Sequence, residues 1–219
     1  MTTFALIHGA GDGGWYWHLV EAALRARGHD TVAPDLPADD ESATLDTYAG
    51  AVVDAIADRT EPVVVAQSFG AFTAPLVCNR LETGLLALVA PMIPSPGEPP
   101  DAWWANTGYT PTDEGRGDDV IATYYHDVPP ELASEAIRRE RSHPSQRAGR
   151  EPWPLAAWPD VPTRVLLCRD DRLFAPAFIR RISKERLGIK PDEIDAGHCV
   201  ALSRPQDLAH RLESYLRRR

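Results

Sequence analysis

Apolar residues along the chain fall into short uninterrupted runs, separated by segments in which apolar positions recur with helical spacing. In the clearest of these segments, Leu45, Val52 and Ile56 lie on one face of a predicted helix. Unbroken apolar runs are typical of parallel strands that are covered on both faces. Predicted strands cover 3–7, 30–34, 63–65, 85–90, 163–168 and 193–194, and predicted helices cover 17–27, 45–56, 70–80, 176–187 and a segment from 205 onward. We therefore expect an α/β protein with a mostly parallel central sheet and helices on both faces.

The segment 94–159 interrupts this alternation of strands and helices. It is rich in proline, glycine and charge, and its aromatic residues include Trp103, Trp104 and Tyr125. We expect it to form a small, mostly helical cap insertion. The whole chain of 219 residues has the length of one ordinary domain, so 1–219 is expected to be a single domain that contains this insertion.

Composition narrows the classes of partner. The chain has 23 Lys and Arg residues against 32 Asp and Glu, and its net charge of −9 disfavours nucleic acid as a partner. No apolar run approaches the roughly 20 residues that cross a bilayer, so no membrane association is expected. The first residues lack a signal-peptide pattern, and the three cysteines show no CxxC spacing. These features favour a cytoplasmic protein with reduced thiols and no zinc site.

Ser68 carries the clearest chemical signal in the sequence. It lies within the string AQSFG at 66–70, directly after a predicted buried strand and before a predicted helix. A nucleophile elbow needs small residues two positions to either side of its serine, because the turn is crowded, and Ala66 and Gly70 meet this need. The alternative interpretation is that Ser68 only caps the helix. The strand–turn–helix context favours a nucleophile whose hydroxyl lies at a helix N-terminus.

A serine nucleophile needs a base and an orienting acid, which follow it along the chain in the order acid, then histidine. Asp171 follows the predicted strand 163–168, and His198 follows the last short strand. Both positions lie at the carboxyl ends of strands, where open α/β sheets bind ligands. We expect His198 to take the Ser68 proton and Asp171 to orient the imidazole, with Asp170 as the alternative acid.

The glycine-rich loop His8–Gly14 follows the first predicted strand and would bring a backbone N–H group close to Ser68. The backbone N–H groups of Ala10 and Phe69 are therefore the expected oxyanion hole. The same loop matches the GxGxxG fingerprint of dinucleotide-binding proteins, with Asp35 after the next strand, so a nicotinamide-dependent reductase is a rival interpretation. Aromatic residues after Gly14 and the absence of a Tyr-x-x-x-Lys pair count against this rival.

Taken together, these strings resemble the α/β-hydrolase superfamily, and within it the plant methylesterase and hydroxynitrile-lyase group with its bacterial relatives. The matching strings are HGAGDGGWYW at 8–17, AQSFG at 66–70, YYHD at 124–127, CRDD at 168–171 and GHCVAL at 197–202. The resemblance implies that the acid of the Cys-x-x-Asp string is Asp171 and that no metal or cofactor is used. The lyases of the group resemble His-Thr-x at the first loop and carry a lysine after the catalytic histidine. This chain has Gly9 and Cys199 at those positions, so cyanohydrin cleavage is not expected.

The combined interpretation is a serine hydrolase, a carboxylesterase that acts on small esters through an acyl-enzyme. Residues that are candidates for lining its acyl pocket are Met92, Trp103, Trp104 and Tyr125, although packing within the cap explains the aromatic ones equally well. The alternative from another functional class is a protein that binds a small ligand on the same scaffold with slow or no turnover.

Overall fold

The computed structural model describes residues 1–113, 115, 119–142 and 144–217. Its strands are β1 (Thr3–Ile7), β2 (Asp30–Val32), β3 (Val63–Gln67), β4 (Leu85–Val89), β5 (Thr163–Cys168) and β6 (Asp192–Ile194). These strands form one six-stranded sheet in the order β2-β1-β3-β4-β5-β6. Every pair of neighbouring strands is parallel. The predicted parallel sheet is confirmed.

Helices cover both faces of this sheet. They are α1 (His18–Ala26), α2 (Leu45–Ile56), α3 (Gly70–Cys78), α4 (Trp103–Asn106), α5 (Val120–Tyr124), α6 (Pro130–Arg138), α7 (Gln146–Arg150), α8 (Pro176–Leu187), α9 (Val200–Ser203) and α10 (Pro205–Leu216), with 3₁₀ turns at Gly14–Trp17 and Pro100–Ala102. Within the described ranges, no helix combines the length and the apolar character that crossing a bilayer requires.

Two apolar clusters lie on opposite faces of the sheet, because successive side chains of a strand point to opposite sides. Ala5 and Ile7 of β1 join the cluster that includes residues of α2, α3 and α8. Phe4 and Leu6 join the cluster that includes residues of α1, α9 and α10. The expectation of helices on both faces is therefore confirmed, and the alternation explains why the central strands β1, β3 and β4 carry unbroken apolar runs.

Local capping sets the limits of several elements. Thr44 caps α2 by accepting a hydrogen bond from the Thr47 N–H group, and the Thr47 side chain accepts one from the Thr44 N–H group in return. The predicted helix 17–27 is confirmed as α1, which begins one residue later, directly after the 3₁₀ turn Gly14–Trp17. The predicted strand 30–34 ends at Val32, before Pro34, which has no N–H group for a ladder. The sequence patterns did not predict α9.

The β4–β5 segment, residues 94–159, lies between β4 and β5 in the chain. Its described residues form a 3₁₀ turn and α4 to α7, and no strand occurs among them. Trp103 and Trp153 of this segment belong to the apolar cluster of α2 and α3, so the segment shares the core of the sheet. Glu98, which is also buried, forms a two-pronged ion pair with Arg186 of α8 at 2.5 and 2.8 Å.

Candidate active site

The order of the strands opens a crevice between the carboxyl ends of β1 and β3. The chain runs from β1 to β2 on one side and from β3 to β4 on the other, so the connections after these two adjacent strands leave in opposite directions. A cavity of about 350 Å³ lies at this point. Ala10 of the loop after β1, Ser68 of the turn after β3 and His198 of the loop after β6 all line it. Three segments that are distant in sequence therefore meet at the carboxyl edge of the sheet.

Ser68 occupies a strained turn between β3 and α3. Its φ angle of 50° lies in the left-handed region, which a residue with a β-carbon rarely adopts. The turn is held on both sides, since the Ser68 N–H group donates to the Val89 carbonyl at 3.0 Å and the Ser68 carbonyl accepts from the Met92 N–H group at 3.0 Å. Backbone strain that surrounding contacts hold in place is typical of functional sites. The geometry agrees with the elbow that the sequence predicts.

The small residues around Ser68 are required by close backbone contacts. A β-carbon on Gly70 would lie 2.7 Å from the His8 carbonyl oxygen and 3.0 Å from that of Ile7. Ala66 is fully buried between neighbouring strands. Across the crevice, a β-carbon on Gly9 would lie 2.1 Å from Oε1 of Gln67. Glycine at positions 9 and 70 therefore lets the loop after β1 approach the turn after β3.

His198 and Asp171 form a buried pair. Nδ1 of His198 lies 2.8 Å from Oδ2 of Asp171, and both side chains are almost completely shielded from solvent. The other carboxylate oxygen of Asp171 accepts the backbone N–H groups of Leu173 and Phe174 at 2.8 and 2.9 Å. With one oxygen held by the backbone and the other facing the ring, Asp171 can fix the imidazole tautomer.

The alternative acid, Asp170, does not reach His198 by any contact that the structure describes. Its side chain is exposed, and its carbonyl oxygen accepts a hydrogen bond from Nε2 of His126 at 2.9 Å.

The residue before His198 is held in place by a hydrogen bond, because the Gly197 N–H group donates to Oδ2 of Asp127 at 2.8 Å. Asp127 belongs to the YYHD string, and no role was assigned to its side chain from the sequence.

The loop after β1 carries Ala10, which is exposed and lines the cavity. The loop is anchored by His8, whose Nδ1 donates to the Gly9 carbonyl at 2.9 Å and whose Nε2 accepts the Leu36 N–H group at 3.2 Å. Burial lowers the pKa of His8 to about 4, so the ring is neutral at neutral pH. The other predicted oxyanion donor, the N–H group of Phe69, belongs to a buried residue whose ring stacks on Phe72.

The glycine-rich loop does not have the arrangement that a dinucleotide site needs. The Gly14 N–H group donates to Oδ1 of Asp35 at 2.7 Å, and the second Asp35 oxygen pairs with Arg141 at 3.2 Å. A reductase would direct such N–H groups at a pyrophosphate and such a carboxylate at a ribose. In this chain the Gly14 N–H group and the Asp35 carboxylate are hydrogen-bonded to each other instead. Among the described residues, no group of three or more His, Cys, Asp or Glu side chains is arranged to hold a metal ion.

The cavity that contains Ser68 is lined by three of the four residues predicted to line an acyl pocket, Met92, Trp104 and Tyr125. Their contact with an acyl group stays a prediction. Trp103 does not line the cavity, and that prediction needs correction. The Trp103 side chain is fully buried, and its indole N–H group donates to the Ile93 carbonyl at 2.9 Å, so it packs inside the core.

Two carboxylic acids that the sequence analysis did not single out also line the cavity. Asp12 follows β1 and Glu140 follows α6. Burial raises the pKa of Asp12 to about 7, positive charge on His198 opposes this rise, and Glu140 adds to it. Asp12 lies within the string at 8–17, where no role was assigned to its side chain, and no motif marks Glu140. Only the approach of two distant loops brings them together.

The chain matches the alpha/beta hydrolase family over residues 4–211. It belongs to that family. This hydrolase is 26% identical to Methylesterase 7 of Arabidopsis thaliana over 244 aligned residues, which cover 94% of this chain and 92% of that protein. It is 24% identical to Norfluorocurarine synthase 1 of Strychnos nux-vomica, with 96% of this chain and 93% of that protein covered.

Among solved structures, the fold of this hydrolase is similar to that of polyneuridine aldehyde esterase, with a TM-score of 0.81 and 19% sequence identity. The similarity covers 98% of this chain and 99% of that chain. At this identity the likeness bears on the fold alone. The match to the family model over residues 4–211 confirms the α/β-hydrolase family that the sequence strings indicated.

Proposed function

We propose that this chain is a serine esterase that hydrolyses a small carboxylic ester. The observation that carries the proposal is the buried His198–Asp171 pair at 2.8 Å, whose histidine lines the same cavity as a serine with a left-handed φ angle. A histidine oriented by a carboxylate is the general base that a serine hydroxyl needs. The names of the methylesterase and esterase relatives support the same reaction class.

In the proposed reaction, Oγ of Ser68 attacks the ester carbonyl carbon, and His198 takes the hydroxyl proton. The carbonyl oxygen becomes an oxyanion, to which the N–H groups of Ala10 and Phe69 would donate. The C–O bond to the alcohol then breaks, and His198 gives its proton to the departing alkoxide. A water molecule repeats the sequence on the acyl-enzyme, which releases the carboxylic acid and restores Ser68.

The β4–β5 segment would act as a cap in this proposal. It supplies Trp104 and Tyr125 to the wall of the cavity that Ser68 and His198 also line. Such apolar walls suit the carbon skeleton of a small ester. The single-domain arrangement 1–219 with the cap at 94–159 is part of the same proposal.

The test is hydrolysis of a panel of nitrophenyl and methyl esters by the wild-type chain and by Ser68→Ala, with fluorophosphonate labelling of both. We expect turnover and labelling of the wild type and neither in the variant. Equal turnover by the two proteins would contradict the role of Ser68. A wild-type chain that is stabilised by esters but neither turns them over nor is labelled would favour the ligand-binding alternative.

A further inference from the structure

The cavity around Ser68 has an acidic side. Asp12 and Glu140 both line it, and they reach it from segments that touch each other. The Arg141 N–H group donates to the Gly11 carbonyl at 2.9 Å, and a β-carbon on Gly11 would lie 3.7 Å from Oε1 of Glu140. Asp12 and Glu140 therefore line one cavity from neighbouring backbone segments.

The nearby cations are already engaged. Arg141 also lines the cavity, but its guanidinium pairs with Asp39 at 2.6 Å and with Asp35 at 3.2 Å. Arg139 lies over the Trp15 ring at 4.9 Å and forms a hydrogen bond with Glu135. In the part of the chain that the structure describes, no Lys or Arg side chain forms an ion pair with Asp12 or Glu140. Asp12 and Glu140 therefore present two carboxyl groups to the cavity without an ion-pair partner among the described Lys and Arg residues.

A third acceptor lies in the same cavity wall. Gln67 is 1% exposed, lines the cavity, and has an Oε1 atom with no hydrogen-bond partner among the described residues. An unsatisfied buried acceptor is costly unless a ligand or water supplies a donor. The remaining wall includes the rings of Tyr124, Tyr125 and Trp104, whose faces attract cations. Acceptors, negative charge and aromatic rings together fit a group that is positively charged and donates hydrogen bonds.

We propose that the ester substrate carries a protonated amine, and that Asp12 and Glu140 bind this amine while the ester carbonyl lies at Ser68. The inference rests on the esterase activity proposed above and assigns its substrate class. The same charges would repel esters that carry a second, ionised carboxylate or a phosphate. Asp12 and Glu140 would act on binding and orientation, so their effect should depend on the charge of the substrate.

The test compares kcat/KM for matched pairs of methyl esters that differ only in the amine. One pair is L-phenylalanine methyl ester and methyl 3-phenylpropanoate, and the other is methyl 6-aminohexanoate and methyl heptanoate. Using two pairs samples a short and a long distance between the amine and the ester. The measured quantity is the ratio of kcat/KM for the amine-bearing ester to kcat/KM for its neutral partner, divided by the ratio of their alkaline hydrolysis rates. We expect this corrected ratio to exceed one for the wild type in at least one pair.

The variants Asp12→Asn and Glu140→Gln should each lower this ratio about tenfold or more, the usual effect of losing a charge-assisted hydrogen bond. Glu140→Lys should lower it further, and because Glu140 is exposed, both of its variants should fold. The matched control is Glu131→Gln, which removes the same charge from an exposed position in α6 and should leave the ratio unchanged.

Two failures can be told apart. A wild-type chain that hydrolyses neutral esters without preferring the amine would overturn this inference alone. The same holds if the preference survives both Asp12→Asn and Glu140→Gln. A wild-type chain that hydrolyses no ester in the panel, charged or neutral, would overturn the proposed esterase function and this inference with it.

Discussion

Gly70 lies so close to His8 that a β-carbon on the glycine would be 2.7 Å from the histidine carbonyl oxygen. This contact joins the loop after β1 to the turn after β3, the two segments that supply Ala10 and Ser68 to the cavity. We expect Gly70→Ala to lower the free energy of unfolding by about 1–3 kcal/mol, because the backbone must shift to admit the methyl group. Urea unfolding measures the change.

The control for this substitution is Gly50→Ala in α2. A β-carbon there meets only Nη1 of Arg80, at 3.6 Å. This variant should be neutral or more stable by about 0.5–1 kcal/mol, because alanine favours a helix interior over glycine. Equal effects of the two substitutions would contradict the close contact at Gly70.

Asp171→Asn tests the orienting acid. The amide cannot serve both its backbone donors and the His198 ring as the carboxylate does, so the imidazole should lose its correct tautomer. We expect kcat on a nitrophenyl ester to fall about 10³- to 10⁴-fold. Asp170→Asn is the matched control, since its exposed side chain should tolerate the change with little effect. A larger loss in Asp170→Asn would exchange the roles of the two residues.

The dependence of stability on pH should combine two opposing contributions. Burial lowers the pKa of His8 from 6.5 to about 4, so between these values only the unfolded chain carries its proton. This contribution stabilises the fold above about pH 6.5 and is lost as the pH falls to about 4, at a cost of about 3 kcal/mol.

Asp12 acts in the other direction. Its pKa is raised to about 7, against 3.8 in the unfolded chain, so the folded chain keeps a proton that the unfolded chain has lost. Its contribution therefore stabilises the fold as the pH falls from about 7 to about 4. We expect the free energy of unfolding, measured in urea from about pH 7 to about pH 4, to decrease more on acidification in Asp12→Asn than in the wild type. In His8→Gln it should decrease less than in the wild type. Parallel profiles for all three proteins would contradict both shifts.

The ion pair between Glu98 and Arg186 should anchor the β4–β5 segment to α8. Both side chains are largely buried, and Glu98 also accepts hydrogen bonds from the Ser95 N–H group and from Asn106. Arg186→Met leaves the Glu98 charge buried without its main partner, so we expect a loss of about 3–5 kcal/mol in unfolding free energy.

The double variant Glu98→Leu with Arg186→Met should recover a large part of this loss, because no buried charge remains. Thermal or urea unfolding of the single and double variants measures the coupling. Strictly additive losses would show that the pair does not act as one unit.

The positions of the strands and of the long helices could be read from the chain because apolar periodicity is a local property. The run 63–67 is apolar up to its last residue, and 45–56 repeats with helical spacing, so each specifies its element without reference to distant segments. The elbow around Ser68 is also local, since small neighbours and a strand–turn–helix context all lie within about ten residues of sequence.

Which side chains meet could not be read in this way. Asp170 and Asp171 are neighbours in sequence, and only the turn after β5 directs Asp171 toward His198. Trp103 and Trp104 are likewise adjacent, yet one packs in the core and the other lines the cavity. Successive side chains point in different directions, and small differences in how a loop packs decide which one reaches the site.

The sequence by itself determined the α/β fold class, the hydrolase family and the order of serine, acid and histidine along the chain. Tertiary structure alone decided that the glycine loop closes on Asp35 and that Asp12 and Glu140 share a cavity with Ser68. The reason is that a strand or helix is encoded by neighbours in sequence. A binding surface is formed where loops that are distant in sequence pack together, and its charge depends on which partners that packing leaves free.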